Sequence, residues 1–273
     1  MYFGDLEISP EVVLAEVLTV PMPTAIARVY TPDGFVVAAD GRSMNSETKQ
    51  VVTDNLQKIY RMGNSPLAMV FTGAALLDNG EFNFIAELSR ASQRISARRF
   101  HGLQEYASRI AGAVQDKLAA FLPQRTTPLP TVPSIDPRDY GQTILIVLID
   151  GYHNNLPGRV RMRFCHEGEN LLKPHIMTED LVPGALRISG IPGIGSCIKD
   201  PSLRRYVREI KVERVYPAGL SYAISISCAA IEACGGPEAA LIDPERAASI
   251  GGHTHIAVIT PDRGFQWVIE PIT

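Results

Sequence analysis

The side chains best able to do chemistry fall into three sets. His253 and His255 alternate along the run that closes the sequence, so both rings reach one face of a strand. Two such rings could begin a metal site, but no third ligand stands near them, and His166-Glu167 offers less still. The four cysteines, Cys165, Cys197, Cys228 and Cys234, contain no CxxC pair. Zinc-ribbon and dithiol redox chemistry are therefore poorly supported, and these side chains read as small buried apolar groups in a reducing compartment. The third set is polar residues at the ends of apolar runs: Thr24, Asp40 and Lys58, with Gly73 in Thr72-Gly73-Ala74-Ala75. Taken singly each has a plain reading. Thr24 opens a strand, Asp40 closes one, Lys58 is a solvated strand lysine, and Gly73 permits a tight turn.

The elements that must position these residues follow from pattern. The chain has 273 residues, 45% hydrophobic and 20% charged, an ordinary globular balance. A net charge of −3 supplies no basic excess for nucleic acid. No run of 18 apolar residues occurs, so no membrane helix is expected. The first 23 residues hold Asp5, Glu7, Glu11 and Glu16 and no Lys or Arg, unlike a secretory leader, and a cytoplasmic location is the expectation.

Ser9, Pro10 and Glu11 form a start signal for a short helix ending before Pro21 and Pro23. Residues 26–30 and 35–39 read as a hairpin over Thr31-Pro32-Asp33-Gly34, and residues 57–62 and 67–72 as a second strand pair. Helix is expected from Gly73 onward, with Phe84, Ile85, Leu88 and Ile95 on its apolar face. A clearer helix carries Leu103, Tyr106, Ile110, Val114 and Leu118 at three- and four-residue steps. A proline-rich connector, 123–140, reads as a surface insertion. Residues 143–149 form a buried strand, 159–164 a strand with one wet face, and 186–189 a short strand. Helices are expected over 202–209 and 220–234, and a closing hairpin over 254–269. Blocks of strands and helices in this order favour an α+β class: two sheets with helices packed outside.

With the elements in place, several pieces resemble one family. Thr24-Ala-Ile-Ala-Arg-Val-Tyr30 with Asp33-Gly-Phe-Val-Val-Ala-Ala-Asp-Gly-Arg42 resembles the opening of proteasome β-type subunits. Lys58-Ile59, the Gly73 strand end, and Gly251-Gly252 followed by residues 256–260 and Gly264 resemble later pieces in the same order. The chain is thus similar to the N-terminal-nucleophile hydrolase superfamily. The resemblance implies a four-layer αββα sandwich over residues 24–273, with 1–23 an extension or propeptide.

For chemistry it implies a threonine-type peptidase or amidohydrolase. Thr24 would be the nucleophile with its own freed α-amine as base, Asp40 and Lys58 the supporting charges, Gly73 the oxyanion donor and Ser189 the supporting serine. Thr24 precedes Asp40 by 16 positions, the family's offset. No cofactor or metal is implied. The implied partners are peptide or amide substrates, further copies of the chain in a homo-oligomer such as a ring, and an unfoldase. Two departures point instead to a non-catalytic subunit like the proteasome α type. Pro23 stands where the family cleaves after glycine, and Ala247 and Ile250 occupy the places of a supporting aspartate and serine before Gly251-Gly252.

Overall fold

A computed structural model describes residues 24–44, 48, 50–131, 142–190 and 216–272. The helices expected before residue 23 and over 202–209, the junction at residue 23 and the connector from 132 to 140 lie outside these residues, as does Cys197. The elements are β1 (Ile26–Thr31), β2 (Gly34–Ala39), β3 (Ser43–Met44), β4 (Val51–Thr53), β5 (Ile59–Arg61), β6 (Leu67–Gly73), β7 (Leu76–Leu77) and β8 (Phe82–Asn83). Then come α1 (Phe84–Arg94), α2 (Leu103–Phe121), β9 (Gln142–His153), β10 (Leu156–Glu167), β11 (Asn170–Thr178), β12 (Leu186–Ser189), α3 (Ala218–Cys234), α4 (Pro237–Ile242), α5 (Pro244–Ser249), β13 (His255–Thr260) and β14 (Gly264–Ile269).

The class is α+β. One five-stranded sheet runs β12-β1-β2-β13-β14 and the other β11-β10-β9-β6-β5, with antiparallel pairing throughout. The two-residue period of a strand sorts its side chains into separate cores. In β2, Val36 and Ala38 pack with Leu220, Ile224 and Ile231 of α3. Their neighbours Phe35, Val37 and Ala39 pack with Val70 and Leu148 of the other sheet. In β9, Val147 and Ile149 turn the opposite way, onto Leu88 of α1 and Tyr106, Ile110 and Val114 of α2. Each large apolar side chain so covered contributes about 1.5–3 kcal/mol. The apolar stripe expected on α2 is spent on the chain's own core. Among the described residues no helix is long and apolar enough to cross a membrane.

Two expectations are corrected, and one strand is new. Helix does not begin at Gly73. The small β7–β8 pair intervenes, and α1 starts at Phe84, where the Asn83 side chain accepts the Ala86 N–H at 3.0 Å and caps it. The face of residues 159–164 expected to be wet is largely covered, since Arg159 and Arg163 are each 1% exposed and Arg161 is half-buried. Arg159 pairs with Asp150 of β9, which also meets Arg28 of β1 at 3.3 Å, and Arg28 reaches Glu179 at 2.7 Å. Alternation fixed which residues share a face, but the partner sheet covers that face and adds Arg28, while the counter-charges come from Asp150 on the neighbouring strand β9 and Glu179 just after β11. Finally, β11 went unforeseen. Among the described residues it is the outer strand of its sheet, a position that tolerates Pro174.

Candidate active site

The β1–β2 register places Ile26 opposite Ala39, so the residues just outside the two strands, Ala25 and Asp40, are neighbours. The Asp40 N–H donates to the Ala25 carbonyl at 3.2 Å, and the Ala25 N–H donates to Asp40 Oδ1 at 2.9 Å. Thr24 is thereby held one residue from a carboxylate. Lys58, immediately before β5 on the other sheet, donates from Nζ to the same Oδ1 at 2.9 Å. The second oxygen, Oδ2, takes the N–H groups of Arg42 at 3.3 Å and Gly251 at 3.4 Å. Asp40 is 0% exposed and Lys58 3%. Burial pushes the Asp40 carboxyl above its ordinary value, and the Lys58 ammonium with the Gly251 and Ala25 N–H groups offsets part of that rise.

Thr24, Lys58 and Gly73 line one pocket, with Arg42, Ser43, Phe71 and Leu76 among its other walls. Gly73 ends β6 at φ +113°, a conformation open to glycine. The next N–H, that of Ala74, is committed to the Ile144 carbonyl at 2.9 Å. In an antiparallel ladder successive N–H groups point to opposite sides, so the Gly73 N–H points away from β9, toward the side from which β5 pairs. It does so without the helix N-terminus anticipated there.

The Asp40-Gly41-Arg42 and Gly251-Gly252 pieces, distant in sequence, lie backbone to backbone. A Cβ on Gly41 would come within 2.6 Å of the His253 carbonyl oxygen, and one on Gly252 within 2.4 Å of the Asp54 carbonyl oxygen. Only glycine permits that approach. Arg42 braces the junction, donating from Nε to Asp54 at 2.7 Å and from NH1 to the Ala248 carbonyl at 3.1 Å.

The structure thus brings Thr24, Asp40, Lys58 and Gly73 together. Ser189 pairs with Ile26 across β12–β1, two residues along from Thr24, and is not among the pocket's lining residues. Ala247 and Ile250 are buried in the core beneath α3. Their polar neighbours are engaged locally: Asp243 caps α5 through the Arg246 N–H at 3.0 Å, and the Ser249 hydroxyl donates to the Arg246 carbonyl at 2.7 Å. Of the two histidines, His253 Nε2 lies 3.0 Å from the Glu270 carbonyl and His255 Nε2 lies 3.1 Å from Asn55 Oδ1. Among the described residues, no group of three His, Cys, Asp or Glu side chains is arranged to hold a metal. Cys165, Cys228 and Cys234 are buried.

Sequence reasoning missed Ser43, 2% exposed with a hydroxyl that has no hydrogen-bond partner among the described residues, and the Asn55–His255 contact. Neither carries a local signal, since both arise from pairing across the fold. No protein-family model matches this chain, and no curated protein matches it.

Proposed function

We propose that the chain is a threonine-type peptidase or amidohydrolase of the N-terminal-nucleophile kind, related to proteasome β-type subunits. In this reading its two sheets and flanking helices form the four-layer αββα sandwich of that superfamily. The alternation of helix–sheet, sheet–sheet and sheet–helix cores supports the layering. One observation carries the function: a buried Lys58–Asp40 ion pair set against a pocket that Thr24 and Gly73 also line.

The chemistry follows from these groups. Cleavage before Thr24 frees its α-amine, which the adjacent Lys58 ammonium keeps neutral. The amine takes the proton of Thr24 Oγ as the oxygen attacks a substrate amide carbonyl. The Gly73 N–H donates to the oxyanion, the leaving amine departs with the proton, and water then releases the acyl group. Substrates are peptides or amides. The working form is a homo-oligomer such as a ring, fed by an unfoldase, in the cytoplasm.

A second reading, a non-catalytic subunit that keeps residues 1–23, is favoured by the burial of Ala247 and Ile250 at 6% and 1% exposure where an aspartate and a serine would steady the amine. Intact mass of the purified protein, with and without a threonine-directed epoxyketone, separates the two. Loss of 23 residues and a one-to-one adduct are expected. A full-length mass with no adduct eliminates the enzyme.

A further inference from the structure

The site is assembled from two sheets that meet across an apolar layer. Thr24 and Asp40 flank β1 and β2 of one sheet, while Lys58 precedes β5 and Gly73 ends β6 of the other. Between them Ile26, Phe35, Val37 and Ala39 pack with Ile59, Ala68, Val70 and Leu148. Contacts of that kind have no preferred direction, so they resist separation of the sheets more than a small slide or pivot. The Lys58–Asp40 pair crosses the layer at one point, and one point still leaves a pivot.

A second polar crossing lies further along β1. Arg28 shares the inter-sheet face of Ile26 and Tyr30 and is buried. Its NH1 reaches Asp150 of β9 at 3.3 Å, and its NH2 reaches Glu179, the residue after β11, at 2.7 Å. Both partners belong to the opposite sheet and are tied to Arg159 of β10: Asp150 by an ion pair, Glu179 by its N–H, which donates to the Arg159 carbonyl at 3.0 Å. Arg159 in turn lies over the Phe35 ring of β2, 6.0 Å from its centroid. At about 3.3 Å per strand residue, Arg28 stands about 13 Å from Thr24 along β1. Asp150 is paired with Ala68, which stands about 17 Å from Gly73 along β6. The sheets are thus gripped at two separate points, and the site is at one of them.

Stability alone does not account for these charges. Desolvation offsets most of the attraction within a buried ion pair, and well-packed apolar groups in its place commonly leave a protein as stable or more so. What an ion pair has and an apolar contact lacks is a required geometry, lost on a displacement of about 1 Å. We propose that Arg28 is a positioning residue for the site. Its two ion pairs fix the angle and offset between the sheets, and so bring Thr24 and Asp40 into line with Lys58 and Gly73. The consequence for catalysis rests on the hydrolase reading; the alignment of Lys58 on Asp40 does not.

The test removes the cross-sheet arm and keeps the rest. Arg28→Met combined with Glu179→Gln loses one positive and one negative charge, and Asp150 keeps Arg159 within its own sheet. The full chain labelled with 15N-lysine reports on the site without any substrate. In the unsubstituted protein the Lys58 ammonium, buried on Asp40, is expected to exchange its protons slowly with water. In the double variant that exchange should rise about tenfold or more, with stability in urea close to that of the parent. Ile224→Val, a small core loss on the outer side of the first sheet, should leave it unchanged. In hydrolysis of a peptide amide the double variant should lose about ten- to hundredfold in kcat with KM changed less, the effect of a misplacement of about 1 Å. Arg28→Lys, which keeps the charge and one arm, should recover part of both effects. Exchange as slow in the double variant as in the parent overturns the proposal, and so does equal acceleration in Ile224→Val or an unchanged kcat. Should the double variant not fold, Arg28→Lys decides: faster exchange than in the parent is expected, and an unchanged rate overturns the proposal. If the unsubstituted chain hydrolyses nothing, the enzyme reading fails and the ammonium exchange alone decides.

Discussion

Replacing Lys58 by methionine tests the ion pair on which the functional reading stands. The substitution keeps an unbranched apolar stem and removes the ammonium, leaving the 0% exposed Asp40 carboxylate without a cation. Breaking a buried pair from one side costs about 3–5 kcal/mol. Three backbone N–H groups, those of Ala25, Arg42 and Gly251, still face the carboxylate, so the lower end, about 3 kcal/mol, is expected at pH 8. The cost must depend on pH. Burial already raises the Asp40 value, and loss of Lys58 removes the largest opposing influence, so it rises further. A carboxyl whose folded value lies above its unfolded one favours the protonated form, and stability falls as pH rises through that window. Urea unfolding at pH 5 and pH 8 should therefore show the smaller penalty at pH 5. Adding Asp40→Asn removes the stranded charge, and the double variant should recover about 2 kcal/mol relative to the sum of the singles. A penalty under about 1 kcal/mol at pH 8, or one equal at both pH values, would refute the reasoning, because a screened surface pair behaves that way.

Three further outcomes are expected. His255 is held down from 6.5 to about 4, so its contribution is complete above pH 6.5 and is lost as pH falls toward 4. The whole interval corresponds to about 3 kcal/mol, of which about 2 kcal/mol is expected near the partly solvated Asn55 edge; His255→Leu should flatten this limb of the stability–pH curve. Arg159→Met leaves Asp150 with Arg28 at 3.3 Å as its remaining cation and should lower stability by about 3 kcal/mol in urea unfolding, with a smaller loss when Asp150→Leu is added. Asn83→Ala removes the cap of α1 and should cost about 1 kcal/mol in the same assay, with fold and pocket retained.

Local patterning in the sequence determined a good deal. The unbroken apolar run of 35–39 and the three- to four-residue period of 103–121 are properties of neighbouring residues, so β2 and α2 stand where the pattern put them. The hairpins over Gly34 and Gly264 follow from turn residues alone. Thr24, Asp40, Lys58 and Gly73 were legible as ends of such runs, and they do converge. What lay beyond reach depends on which elements pair and pack, whether near in the chain or far along it. Alternating arginines in 159–163 look the same whether water or a second sheet faces them; Arg28, Asp150 and Glu179 decide it. The start of α1 hung on the β7–β8 pair, formed by two residues on each side. The contact of His255 with Asn55 joins residues 200 positions apart. Side-chain direction is written locally in the backbone's period, but dielectric, charge pairing and hydrogen-bond supply belong to the neighbours, and only the folded chain chooses those.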